Sequence, residues 1–245
     1  MELTLIYTIV GFALAGWSVI ANDSIQTLGT FIASKQKWFK WYTLAGSASA
    51  AMIVTISFGW WTHDGDISYG RLTQIPYQEI QWYHAVAPGI LLVLTRIGIP
   101  VSTTFLVLSA FASTVVLEKM LIKSVVGYGL AAILAYVCWI AISKFINEKF
   151  DEITTEWKIA FWRNAVWVTA AFLWATWLMH DVANIAVYLP RQLDISLLAI
   201  VLIYFSILLF YIFYIHGGPI QKVVLDKTGT RYARSATIIL SLIHI

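Results

Sequence analysis

Long apolar runs separated by short polar segments dominate the hydrophobic pattern of this chain. Five runs reach the length of about 20 residues that an α-helix needs to cross a bilayer; they cover 3–22, 41–62, 124–143, 159–179 and 195–215. Arg163 is the only charged residue inside these runs. Polar and apolar residues do not alternate as they do in transmembrane β-strands. The pattern therefore predicts an all-α, polytopic membrane protein.

The region 86–116 is apolar but too irregular for a single helix. Four residues that disfavour a helix interior interrupt it: Pro88, Gly89, Gly98 and Pro100. We interpret it as a re-entrant helical hairpin that enters and leaves on the outer side. A helix that restarts after proline at Ser102, Thr103 and Thr104 presents hydroxyls and free backbone N–H groups, which suit an anion. The alternative is an ordinary helix cap.

Composition and charge support a membrane protein and orient it. Hydrophobic residues make up 60% of the chain and charged residues 12%, whereas a soluble domain carries about 25% charged residues. Eleven of the sixteen Lys and Arg residues lie in or beside the segments 35–40, 144–158 and 222–234. Because such residues concentrate on the cytoplasmic side, these segments are predicted to be inside. No Lys or Arg precedes Lys35, so the first run is expected to be a retained helix.

A polar segment at the end of the first run is the best candidate for a cation site. Unpaired polar groups are costly in hydrocarbon, so their presence at that depth suggests a function. The Asp23 carboxylate and the side-chain oxygens of Asn22, Ser24 and Thr27, with carbonyls of an unwound helix, would be hard ligands for sodium. The alternative is a helix-breaking cap at the membrane surface.

The segments 22–26 and 180–184 form an internal repeat. Each has a polar residue, an aspartate and an amide three residues later, and each closes an apolar helix of similar length. The two helices run in opposite directions in the predicted topology. Opposed halves are typical of inverted-repeat secondary transporters with broken helices. In this alignment Asp181 and Asn184 correspond to Asp23 and Gln26.

Three motifs resemble the inorganic phosphate transporter (PiT) family. The sequence N-D-S-I-Q-T-L-G-T at 22–30 is similar to that family's N-D-V-A-N-S-x-G-T. G-I-P-V-S-T-T at 98–104 is similar to its G-x-P-[IV]-S-T-T hairpin, and H-D-V-A-N at 180–184 to its second N-D-V-A-N. The resemblance covers essentially the whole chain. It implies symport of inorganic phosphate with sodium or a proton, and some members of the family carry sulfate instead. It also implies a second hairpin after the second motif.

The motifs and the repeat together predict the site residues. The coupling ion is assigned to Asn22, Asp23, Ser24, Gln26 and Thr27. The substrate is assigned to Ser102, Thr103, Thr104, Asp181, Asn184 and Arg96. The Arg96 guanidinium could pair with phosphate, neutralise Asp23 or extend to the interface. Three positions depart from the family pattern: Gln26 in place of Asn, Phe105 after the threonines, and His180 in place of Asn. His180 is either a proton relay or structural.

The repeat predicts the organisation of the chain. Residues 1–143 form a first repeat with the Asn-Asp motif and the hairpin, and 144–158 a cytoplasmic loop. Residues 159–239 form a partial second repeat without its hairpin, and 240–245 read as a non-native tail. An alternating-access carrier needs both halves. The chain as given is therefore expected to insert into a membrane but not to transport.

The expected function is a multi-pass carrier in a cell membrane, the bacterial inner or the plasma membrane. Its expected partners are inorganic phosphate, a monovalent cation and lipid, without nucleic acid, and a homodimer is compatible with the pattern. The alternatives are a sulfate or other oxyanion permease, an anion channel, and a phosphate sensor that does not transport. The channel is considered because re-entrant hairpins also build selectivity filters. An enzyme is not expected: no Walker-type loop occurs, and Ser102 with His180 is only a conceivable nucleophile–base pair.

Overall fold

The computed structural model describes residues 2–97, 99, 101–142, 156–218 and 221–222, and all regular secondary structure in them is helical. The helices are α1 (Glu2–Lys35), α2 (Trp41–Thr62), α3 (Trp82–Arg96), α4 (Thr103–Leu108), α5 (Thr114–Ile142), α6 (Glu156–Asp181), α7 (Ala183–Ala186) and α8 (Ile195–Tyr214), with a 3₁₀ turn at Arg71–Gln74. The predicted all-α class is confirmed.

Three of these helices are long and apolar enough to cross a membrane. They are Leu3–Lys35, Trp41–Thr62 and Ile195–Tyr214. α5 and α6 cover the other two predicted runs, and their crossing stays a prediction. The predicted loop 144–158 lies outside the described residues except for its last three, which belong to α6. The tail 240–245, most of the segment 222–234, and Gly98 and Pro100 also lie outside them.

Helix α1 continues through the first polar segment. It runs for 34 residues, about 51 Å, so the expected helix end and unwound carbonyls at Asn22 and Asp23 are wrong. The polar side chains bond within the helix instead. The Thr27 hydroxyl donates to the Asp23 carbonyl at 2.7 Å, Gln26 Nε2 donates to Asn22 Oδ1 at 2.8 Å, and the Ser24 hydroxyl donates one turn back. These bonds satisfy the polar groups without opening the backbone.

The second polar segment does interrupt a helix. α6 ends at Asp181, Val182 forms a turn, and the one-turn helix α7 follows. Residues 181–189 are all buried. The aspartate of the second motif therefore lies at a helix end, as the repeat predicted, whereas the aspartate of the first motif does not.

Helix α3 contains Pro88 and Gly89 without a break, so the interruption expected there is wrong. Pro88 has no N–H to bond to the carbonyl of His84. The Tyr188 hydroxyl supplies the missing donor at 2.6 Å, and the Ser18 hydroxyl bonds the Pro88 carbonyl at 2.9 Å. The helix ends instead at Arg96, and the six-residue α4 begins at Thr103.

Helix α1 is at the centre of the packing. It contacts α3, α4, α6, α7 and α8, while α2 packs against α6 and α8. Gly11 allows the close approach of the α7 region, because a Cβ there would collide with the Tyr188 ring. The C-terminal end of α1 is also fixed: Lys35, expected in a loop, is buried and donates to the Arg163 carbonyl beside the Trp167 ring. This packing holds α4 between α1 and the α6–α7 junction.

Candidate functional site

The first turn of α4 brings the two acidic motifs together. The Thr103 hydroxyl donates to Asp23 Oδ2 at 3.0 Å, and the Thr104 hydroxyl donates to Asp181 Oδ1 at 3.2 Å. Adjacent residues on a helix point about 100° apart, so neighbouring threonines can each reach a different carboxylate. The two threonines thus connect positions that are 158 residues apart in the sequence.

Two asparagines extend this network. Asn184 Nδ2 lies 3.3 Å from Thr103 Oγ1, 3.2 Å from Thr104 Oγ1 and 3.4 Å from Asp181 Oδ1. Asn22 Nδ2 donates to Asp23 Oδ1 at 2.8 Å and to the Val101 carbonyl at 3.1 Å. The second of these bonds fixes the irregular segment before α4 against α1. We refer to Asn22, Asp23, Thr103, Thr104, Asp181 and Asn184 as the acidic cluster.

The acidic cluster has more acceptors than donors. The Asp23 and Asp181 carboxyl groups are near enough for their charges to interact, and the two residues are only 2% and 7% exposed. Two neighbouring buried carboxylates repel each other strongly. Either a bound cation must offset this repulsion or a proton must neutralise one of the two groups. Asn184 Oδ1 is buried and, among the residues that the structure describes, has no hydrogen-bond partner. Carboxylate and amide oxygens together suit a hard cation.

Several predicted ligands lie outside these contacts. The hydroxyls of Ser24 and Thr27 donate to the backbone of α1, and Gln26 reaches the cluster only through Asn22. Arg96, on the last turn of α3, and His180, on the last turn of α6, are both exposed. In the described part of the chain, no group of three or more His, Cys, Asp or Glu side chains could hold a metal ion.

The three hydroxyls of the Ser-Thr-Thr sequence have different surroundings. Thr103 is buried and faces Asp23. Ser102 is exposed and caps α4, because its hydroxyl accepts from the Phe105 N–H at 3.3 Å. Ser102 and Thr104 also line an open cavity of about 470 Å³ between α4, the 70–75 segment and α5. The predicted anion ligands are therefore divided between the buried acidic cluster and this cavity.

The cavity contains two cationic residues that the sequence did not identify as site residues, Arg71 and Lys123. Arg71 lies close enough to Asp181 for their charges to interact; burial lowers the pKa of the guanidinium, and this attraction opposes the lowering. The only sequence signal is that Arg71 is the single Lys or Arg in the segment 61–83, which also contains Asp64, Asp66 and Glu79. That signal describes topology and does not reveal a site. Only the fold shows that this loop reaches α4.

Comparison with known proteins gives no family assignment. No family model matches the chain, and neither the curated proteins nor the solved structures contain a match. The fold and the site define an all-helical protein with helices of membrane-spanning length and a buried cluster of acidic, amide and hydroxyl side chains. The resemblance to the PiT family stays a prediction from its three motifs.

Proposed function

We propose that this chain supplies the ion-binding elements of a carrier for ion-coupled transport of inorganic phosphate across a cell membrane, with sodium or a proton as the coupling ion. The observation that carries the proposal is the pair of hydrogen bonds from Thr103 to Asp23 and from Thr104 to Asp181. They join one acidic motif from each predicted repeat to the predicted substrate hairpin. A cation at the carboxylates and an anion at the hydroxyls would then be direct neighbours.

The neighbouring charges supply a physical basis for coupling. Without a cation, the two carboxylates would repel an oxyanion brought to Thr104. A cation held by Asp23, Asp181 and the free Asn184 Oδ1 removes much of that repulsion and restores the lost solvation of the carboxylates. The anion in turn stabilises the cation. Binding of each ion therefore favours the other, which is the thermodynamic requirement of symport.

The helix contacts support the inverted repeat that this function uses. If α1 corresponds to α6 with α7, and α2 to α8, then exchanging the repeats converts the α1–α8 contact into the α6–α2 contact. Both contacts occur, as do α1–α6 and α2–α8. α3 and α4, with 15 and 6 residues, are about 22 and 9 Å long. Each is too short for a hydrocarbon core of about 30 Å, which favours a hairpin that re-enters on one side.

The test is equilibrium binding of radiolabelled phosphate to the purified chain in lipid nanodiscs. We expect sodium, compared with choline at equal ionic strength, to raise phosphate affinity at least tenfold; a rise on acidification in choline would instead identify the proton. Competition by sulfate separates a phosphate carrier from a general oxyanion carrier. Absence of saturable phosphate and sulfate binding under every cation condition would overturn the proposal.

Counterflow distinguishes the remaining modes of action. In membrane vesicles from cells that express the gene, a carrier exchanges internal unlabelled phosphate for external labelled phosphate. A channel shows no such trans-stimulation, and a sensor binds phosphate without moving it. We expect trans-stimulated exchange. Uptake of phosphate without trans-stimulation would favour the channel, and intact binding without any uptake would favour the sensor.

A further inference from the structure

The open cavity beside the acidic cluster differs from it in charge and in access to water. It is bounded by the 70–75 segment, by α4 and by the outer part of α5. Arg71 and Lys123 enter it from two different elements, and Ser102 and Thr104 enter it from a third. We propose that this cavity is an entry site that holds a tetrahedral oxyanion in partly hydrated form before the ion reaches the acidic cluster. This inference rests on the proposed function for the identity of the ion.

The charge arrangement favours such a site. Asp23 and Asp181 together present up to two negative charges immediately behind Thr104, and they would repel a phosphate approaching from solution. The Arg71 guanidinium, near Asp181, screens that field from the cavity side. A guanidinium fork binds two oxyanion oxygens at once, whereas Lys123 contributes a compact positive charge from α5. Together the two cations can balance a doubly charged phosphate.

The volume indicates a hydrated ion. A water molecule occupies about 30 Å³ of liquid volume, so the cavity of about 470 Å³ has room for an oxyanion and roughly ten water molecules. Apolar side chains also line the cavity: Leu108 from α4, and Val116 and Met120 from α5. These apolar side chains reduce screening by water and so strengthen the attraction between the cations and the ion.

Thr104 connects the entry site to the acidic cluster. Its side chain lines the cavity, and its hydroxyl donates to Asp181 at 3.2 Å. An oxyanion at Arg71 can replace Asp181 as the acceptor of that hydroxyl with a small rotation of one side chain. The site therefore leads to the acidic cluster through a single residue.

The test compares three single variants by phosphate binding in nanodiscs of zwitterionic lipid with sodium present. We expect Arg71→Gln to weaken phosphate binding at least tenfold and Lys123→Gln about threefold. Lys37→Gln, which removes an exposed charge distant in sequence from the cavity, is the matched control and should bind like the parent. Arg71→Lys keeps the charge but not the fork, so its phosphate affinity should lie between that of the parent and that of Arg71→Gln.

The same variants separate this inference from the proposed function. Sodium should raise the thermal unfolding temperature of Arg71→Gln at least as much as that of the parent, because Asp23 and Asp181 are intact and Arg71 no longer offsets part of the Asp181 charge. Parent-like phosphate affinity in both Arg71→Gln and Lys123→Gln would overturn the entry site and leave the proposed function standing. Weakened affinity in a protein whose parent shows no dependence on sodium or pH would support the entry site and overturn the coupling.

A lipid headgroup phosphate has the same chemistry as the free ion. Nanodiscs with about 30% phosphatidylglycerol distinguish the two sources. Unchanged phosphate affinity of the parent in these discs supports a site for the free ion. An affinity that falls in the parent but not in Arg71→Gln means that the headgroup occupies the same cations, which would overturn the entry role.

Discussion

The two acidic motifs share a spacing but have opposite backbone structures. In the first, Asp23 lies in the interior of a continuous helix, and Gln26 bonds to Asn22 on the same helix. In the second, the helix ends at Asp181, and Asn184 turns towards the hydroxyls of the hairpin. The first motif is thus a rigid support, whereas the second is positioned by a turn and can change its contacts at lower cost.

The two carboxylates also differ in the charges around them. Asp23 accepts hydrogen bonds from Thr103 and Asn22, which are neutral donors. Asp181 has neutral donors as well, but it also interacts with the positive charge of Arg71. A bound cation should therefore be needed more by Asp23 than by Asp181. The following predictions test that difference, from the largest expected effect to the smallest.

Asp23→Asn should have the largest effect. The change keeps the shape of the side chain but removes the carboxylate that, among the described residues, interacts with no cationic side chain. We expect sodium-dependent phosphate binding to fall below detection, and the thermal shift produced by sodium to disappear. Asp64→Asn is the matched control: it makes the same change in an exposed turn at φ 50°, which asparagine tolerates. Parent-like sodium dependence in Asp23→Asn would contradict the proposed function.

Asp181→Asn should weaken sodium binding less, by about tenfold, because Arg71 already offsets part of the charge at this position. Without sodium, either single variant should unfold at a higher temperature than the parent, since one of two repelling carboxylates is gone. The double variant should gain less than the sum of the single gains. Equal losses of sodium affinity in Asp23→Asn and Asp181→Asn would remove the distinction between the motifs.

Thr103→Val and Thr104→Val test the two sides of the hairpin separately. A lost hydrogen bond to a charged group costs about 1.5–3 kcal/mol, so each change should weaken binding roughly tenfold or more. Thr103→Val should act mainly on sodium affinity, and Thr104→Val on both sodium and phosphate affinity.

Thr95→Val is the control for these two changes within the same hairpin. Thr95 is buried, and within the described residues its hydroxyl has no hydrogen-bond partner. Removing this hydroxyl should leave the free energy of unfolding unchanged or raise it slightly. Identical ion profiles in the Thr103 and Thr104 variants would argue against the division of the hairpin between the two motifs.

Gln26→Ala should have the smallest effect. It removes one side-chain bond to Asn22 within α1, which is worth about 0.2–0.5 kcal/mol, so sodium affinity should stay within about threefold of the parent value. Asn184→Ala, the equivalent change in the second motif, should lower sodium affinity at least tenfold, because three contacts in the acidic cluster are lost. The comparison fails if Gln26→Ala is the more damaging of the two.

The sequence alone determined the helical class and most of the residues of the acidic cluster. Long apolar runs leave the backbone only one way to satisfy its polar groups in a membrane, so the elements follow from composition and run length. Asp23, Thr103 and Thr104 were identified because ionisable and hydroxyl groups within apolar sequence are costly and so mark a function. Asp181 and Asn184 were identified because the internal repeat aligns them with Asp23 and Gln26. Both inferences depend on local chemistry, which the sequence contains in full.

Tertiary structure decided whether each polar segment breaks its helix. Asn22, Asp23 and Ser24 read equally well as a helix end or as a helix interior, because their side chains can bond to either backbone arrangement. At Pro88, the donor that replaces the missing N–H is Tyr188, about a hundred residues away. No local pattern contains that partner, so the sequence predicted a break where the folded chain has a helix.

Tertiary structure also decided which side chains meet at the site. Arg71 reaches the hairpin because the loop after α2 folds over α4, whereas Arg96, much nearer in sequence, points away and is exposed. Direction and distance across helices depend on how whole helices pack, and packing is a sum over many contacts that no single motif encodes. The chemistry of the site was therefore present in the sequence, and its geometry arose only when the helices packed together.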